Sequence, residues 1–178
     1  MIRRGRVQAA AAVGAGILLG STLLAGCRSP TDRFNAYDIL LVPPFEIAPR
    51  SGARPADGIL IQMLIVSASN ENRIFPKAVR MAGEIGESAA LRLEGTITKY
   101  VWRADAGARW TDFEKGEGGV RLDVRLVDQR TGRIVDQLWV QGQAADRKRD
   151  ADPAFADAAK KIARHLYWNK SNKPADLD

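Results

Sequence analysis

The stretch VRLDVRLVDQRTGRIVDQLWVQ, residues 120–141, decides the fold. Val120, Leu122, Val124 and Leu126 alternate with Arg121, Asp123 and Arg125. A period of two residues belongs to a strand with one buried and one wet face. Asp128-Gln129-Arg130-Thr131-Gly132-Arg133 then interrupts the pattern with turn-forming residues, and Ile134 to Gln141 resumes it. Two runs joined so tightly around a glycine are antiparallel neighbours. Upstream, Leu91, Leu93 and Ile97 alternate with Arg92, Glu94, Thr96 and Thr98, which predicts a third strand of the same kind.

Working outward, Tyr37 to Val42 is a short apolar run stopped by Pro43-Pro44 and reads as a buried strand. From Asp57 to Ser69 the chain is almost continuously apolar, which suits a buried strand or a buried helix. Thirteen residues is long for a strand, and Asp57 can cap a helix start, so a helix is expected. Ile74 to Val79 reads as a strand that Pro76 pushes to a sheet edge. A last helix is expected with Asp152 as N-cap and Pro153 in its first position. Phe155, Ala159, Ile162 and Leu166 line its apolar face, while Lys160, Lys161, Arg164 and His165 suit its carboxyl end. The order implies an α+β fold: a mixed, mostly antiparallel sheet with helices packed on one face.

The first 26 residues differ in character from the rest. Arg3, Arg4 and Arg6 precede an uncharged apolar run from Val7 to Ala25, which closes as Leu24-Ala25-Gly26-Cys27. A basic start, an apolar middle and small residues before a cut site make a secretory signal. The closing tetrapeptide resembles the lipobox of bacterial lipoprotein signals. That resemblance implies a diacylglycerol thioether on Cys27 and cleavage between Gly26 and Cys27. The competing reading is a single transmembrane anchor with an incidental cysteine, since Val7 to Ala25 is nearly long enough to span a bilayer. Gly14, Gly16 and Gly20 interrupt the run, and no basic stop-transfer cluster follows it. Arg28, in place of Asp after the cysteine, resembles the sorting pattern that permits transfer to the outer membrane, facing the periplasm.

The expected organisation is therefore a signal over 1–26, a lipidated cysteine and tether over 27–36, one periplasmic domain over 37–168, and a polar, mobile tail over 169–178. Cys27 is the only cysteine, so no disulfide is available to the domain. Formal charge falls from +6 to +3 once the three signal arginines are removed, and basic residues alternate with acidic ones. That balance argues against a nucleic-acid partner.

The element order, with Leu41-Val42-Pro43-Pro44-Phe45, Ile74-Phe75-Pro76-Lys77-Ala78-Val79, Leu91 to Tyr100 with its Gly95-Thr96-Ile97 step, and the Leu126 to Val135 hairpin, resembles a group of periplasmic lipoproteins. The group holds the curli-secretion lipoprotein, the outer-membrane activators of penicillin-binding proteins, and the amino-terminal domain of the Tol translocation protein. The resemblance implies an accessory role in the cell envelope. The chain departs from the curli-secretion members in lacking a pair of long amphipathic β segments for a membrane barrel.

No catalytic constellation stands out. A nucleophile needs a base beside it and a metal needs several ligands. His165 is the sole histidine and reads as a solvated helix-end residue. Gly86-Glu87-Ser88 lacks the second glycine of a nucleophile elbow, and Gly116, Gly118 and Gly119 precede no helix. Asp123, Asp128 and Asp136 read as surface and turn carboxylates. No catalytic residue, metal or cofactor is expected. One binding site is: the Arg103–Gly119 loop carries Arg109, Trp110 and Phe113, a composition suited to an interface anchor, although both aromatics could equally fold back as a small satellite core. Trp102 and Trp139 are expected to cover the outer sheet face, and Trp168 to cap the last helix. Three functions fit: an interaction module for envelope assembly or export, a ring-forming subunit of a secretion channel, and a regulator of a cell-wall synthase. The short tether disfavours the third, which needs reach.

Overall fold

The structure, a computed structural model, describes residues 33–101, 118–144 and 152–170. Six strands and two long helices follow one another as β1 (Ile39–Leu41), β2 (Glu46–Ile47), α1 (Pro55–Glu71), β3 (Lys77–Val79), β4 (Ala90–Val101), β5 (Gly119–Asp128), β6 (Ile134–Gln143) and α2 (Asp152–Trp168), with a 3₁₀ turn at Ala82–Glu84. The strands form one sheet in the order β3-β1-β4-β5-β6. The three long strands are antiparallel, whereas β1 runs parallel to both β3 and β4. The expected α+β architecture is thus present.

The alternation in the sequence becomes two faces. Leu93 and Ile97 of β4 stand in register with Leu126 and Leu122 of β5, and Leu122 with Val140 of β6. All of these are buried, and they join Ile61 and Ile65 of α1 with Phe155, Ile162 and Leu166 of α2 in a single core. The opposite face carries Glu94, Arg125 and Gln137 in one cross-strand row and Thr96, Asp123 and Trp139 in the next.

One strand escapes any reading by pattern. β2 is two residues long and pairs with the far half of β4, Glu46 with Thr96 and Ile47 with Ile97. β1 pairs with the near half of the same edge, Ile39 with Ala90 through Leu41 with Arg92. Pro43-Pro44 separates the two because proline has no N–H to give to a ladder.

The helix starts shift slightly. α1 begins at Pro55, so Asp57 sits in its first turn and reaches back, its Oδ2 accepting the Arg54 N–H at 2.7 Å. It satisfies the helix start from inside rather than as the N-cap. α2 already includes Asp152. Its far end is capped by Asn169, whose Nδ2 donates to the His165 carbonyl at 2.9 Å. Trp168, 52% exposed, does not cap it; its ring meets Tyr167 edge-on at 5.8 Å.

Both sheet edges are partly closed by helix side chains. On β3, Asn70 of α1 takes the Ala78 N–H at 2.9 Å and donates to the Ala78 carbonyl at 3.2 Å, filling both outward groups of that residue. On β6, Lys161 of α2 donates to the Gln141 carbonyl at 2.8 Å and Asp157 accepts the Gln143 N–H at 3.0 Å. Such closure blunts an edge that would otherwise template a further strand.

Candidate functional site

The two ends of the folded body are clasped together. Phe34 is fully buried, and its N–H donates to the Asn169 carbonyl at 3.1 Å. Its ring lies 6.3 Å from that of His165, whose Nε2 meets Asp136 Oδ2 at 2.8 Å. The other oxygen of Asp136 faces Arg33 at 3.6 Å. Lys170 is 5% exposed; its Nζ donates to the Tyr37 carbonyl and stands 4.2 Å above the Phe75 ring. Arg33 and Phe34, expected within the tether over 27–36, and Asn169 and Lys170, expected within the tail over 169–178, thus make contacts with the folded body. An aromatic at position 34 was the one sequence signal available for this. Likewise His165 is held by a carboxylate and only one-third exposed, not simply solvated.

Burial pushes the Lys170 ammonium below its ordinary value, with the Asp38 carboxylate opposing the shift. For a lysine lowered in the native state, the unfolded chain binds more protons between the native value and 10.5, so stability rises with pH across that window. Below the native value the cost of burying the charge is present in full. We expect the stability difference between wild type and Lys170→Met to move in favour of wild type as pH is raised from neutrality toward 10.5. Parallel pH profiles of the two proteins in urea unfolding would contradict this.

The three carboxylates considered from sequence do separate work. Asp128 binds the turn: Oδ1 accepts the N–H groups of Arg130 and Thr131 at 3.0 and 2.8 Å, and Oδ2 accepts the Tyr37 hydroxyl at 3.1 Å. The Thr131 N–H is the leading cause that holds its carboxyl below the ordinary range. Asp136 belongs to the clasp, and Asp123 stands on the open sheet face. Among the described residues, no group of three or more His, Cys, Asp or Glu could hold a metal. No described helix is long and apolar enough to cross a membrane. Gly26, Cys27, Arg109, Trp110 and Phe113 lie outside the described residues, as does Trp102.

What the geometry does offer is surface. The open sheet face is a shallow polar concavity in which Arg92 pairs with Glu94 at 2.8 Å, beside Arg125 and Gln137. Trp139 stands at its margin and is 70% exposed, so it does not cover the face as expected. Ile59 and Met63, one turn apart on α1, are 49% and 50% exposed. Exposed apolar side chains grouped on one element mark contact surfaces more often than scattered ones do. Such an arrangement can bind a partner.

No family model matches the chain. Its fold is shared with a subunit of the PelC dodecamer from Paraburkholderia phytofirmans, with a TM-score of 0.55 and 12% identity over 76% of this chain and 91% of that one. A minor lipoprotein from Acinetobacter baumannii aligns with a TM-score of 0.42 and 13% identity over 75% of this chain and 94% of that one. In sequence, the chain is 33% identical over 89 residues to the cytochrome c-type biogenesis protein CcmE 2 of Xanthomonas campestris, an alignment that covers 49% of this chain. The chain spans about half the length of the curated relatives it matches, 55%.

Proposed function

We propose that this protein is a lipid-anchored, non-catalytic accessory module of the bacterial cell envelope, working as an assembly of identical copies. Leu24-Ala25-Gly26-Cys27 carries the anchor. A short span supports this reading: Phe34 is buried in the core only seven residues after Cys27. Seven residues reach at most roughly 25 Å, so a lipid on Cys27 would keep the domain against the bilayer. A regulator that must cross the periplasm is disfavoured for the same reason.

In this reading the domain faces the periplasm from the outer membrane, as Arg28 suggests. The exposed apolar side chains of Ile59, Met63 and Trp139 suit protein contacts, and the shared fold with a protein solved as a dodecamer supports self-assembly. A ring of such copies could belong to an export system. The Arg103–Gly119 loop, with Arg109, Trp110 and Phe113, remains a second contact surface in this proposal.

The anchor is tested by Cys27→Ser. Labelled palmitate is expected to vanish from the protein, which then stays as uncut precursor or leaves the membrane fraction. One lipid chain holds weakly and several hold firmly, so loss of the acyl groups should change fractionation outright. Undiminished labelling of the variant would end the lipoprotein reading.

A further inference from the structure

We infer that one end of the domain lies on the membrane: the end where α2 finishes, with Trp168 set among exposed arginines against an anionic phospholipid surface. This rests on the lipid anchor proposed above and adds the face by which the body meets the bilayer.

Strands and helices share one end of the body. β1, β3 and β4 begin side by side there, Ile39 standing in register with both Lys77 and Ala90. β5 ends and β6 begins at the same level, with Leu91 facing Asp128 and Val127 facing Ile134. α1 finishes there, where Asn70 binds the main chain of Ala78, and so does α2, where His165 meets Asp136 and Lys170 reaches the Tyr37 carbonyl. The chain coming from Cys27 enters at this same end, its Phe34 N–H donating to the Asn169 carbonyl at 3.1 Å. Seven extended residues hold a lipid on Cys27 within roughly 25 Å of that point. The far end of β4, a strand of 12 residues, lies about 36 Å away, beyond the tether's reach. The tether therefore selects which end can rest on the bilayer.

What this end exposes suits a lipid surface. Arg33, Arg73, Arg130, Arg133 and Arg164 are exposed there and outnumber the exposed carboxylates Asp38, Glu71 and Glu87. Asp128 and Asp136 are taken up within the fold, the first by turn N–H groups and the second by His165. Trp168, 52% exposed, lies four residues beyond Arg164 and so shares its face of α2. Arginines beside an anionic leaflet are drawn to it, and the draw fades within a Debye length, so only this end feels it. Tryptophan settles at the headgroup level, its ring in the apolar margin and its N–H toward water. Charge and aromatic thus coincide where the tether enters. Among the described residues the other tryptophan, Trp139, sits in mid-strand opposite Asp123, away from this end.

The test uses the full-length lipidated protein in vesicles of phosphatidylethanolamine and phosphatidylglycerol, with acyl chains either plain or brominated near the headgroup. Bromine quenches an indole only at contact range. Brominated lipid should dim the wild-type emission; Trp168→Phe should remove most of that loss, and Trp139→Phe should leave it in place. Arg133→Glu combined with Arg164→Glu keeps the indole and should at least halve the quenching, as should replacing phosphatidylglycerol by phosphatidylcholine. All of these side chains are exposed, so each variant should melt with wild type. In protein that floats with the vesicles, an undimmed wild-type emission, quenching that survives Trp168→Phe, or quenching indifferent to the arginines would overturn this inference alone. Protein that carries no palmitate and does not float with the vesicles would overturn the lipid anchor, and the membrane-facing end with it.

Discussion

Phe34→Ala is expected to destabilise the domain by about 3–5 kcal/mol, the range for removing a fully buried aromatic side chain. Phe34 has no exposed surface, and it lies in the main core cluster with Leu40, Phe75 and Leu166. Its truncation leaves a cavity at the junction of the first described residues and the end of α2. The bond from the residue 34 N–H to the Asn169 carbonyl is main-chain and is kept by alanine, so the loss reports the ring alone. Against a total stability of roughly 5–15 kcal/mol, such a loss would leave a substantial unfolded fraction under mild conditions. Arg33→Ala is the matched control. Arg33 is half-exposed and its ion pair to Asp136 is 3.6 Å long, so its removal should cost under about 1 kcal/mol. Urea unfolding followed by circular dichroism measures both. A Phe34 variant as stable as the Arg33 variant would show that the amino-terminal segment is not part of the folded body.

Gly142→Ala is expected to cost about 3 kcal/mol, because α2 crosses β6 where a side chain has no room. A Cβ on Gly142 would stand 2.0 Å from the Ala154 carbonyl oxygen and 2.8 Å from the Ala158 Cβ. The closest obstacle is helix backbone, which cannot rotate away; the helix must move off the sheet and take Phe155 and Ala158 with it. Gly83→Ala provides the contrast. Nothing lies within 4 Å of its added Cβ, and the substitution should be neutral within about 0.5 kcal/mol. Thermal unfolding of the two variants checks the pair. A Gly142 variant that melts with wild type would mean that the helix and strand are less closely packed than this.

The strands of the sheet divide by length. β4, β5 and β6 were legible because each repeats its two-residue period several times, and the Asp128–Gly132 turn joins the last two in register. β2 was not, since two residues show no period; β4 offers it a free edge, and Pro43-Pro44 dictates where it can start. α1 was legible as an element through its length, but not as to its faces. It is apolar almost all round, so only packing could show that Ile61 and Ile65 are buried while Ile59 and Met63 face solvent.

The candidate surfaces follow the same division. The aromatic residues were visible as a set, but the sequence did not distinguish a tryptophan that covers a sheet from one that stands clear of it. Trp139 alternates correctly for the open face, yet no neighbour in register is large enough to bury it, Asp123 being its cross-strand partner. Phe34 and Lys170 each sit in a polar run, which hides their burial from any reading by pattern. Their burial arises from contact between residues more than 130 positions apart, Lys170 with Tyr37.

By itself the sequence determined the sheet's long strands, the two helices, the α+β class and the motif that ends at Cys27, all features written in neighbouring residues. The tertiary structure alone decided which end residues belong to the body, which helix face stays exposed, and which strand edges are closed. The reason is physical. Periodicity and capping act over a few residues, whereas burial and edge closure depend on surfaces that meet only after the chain has folded.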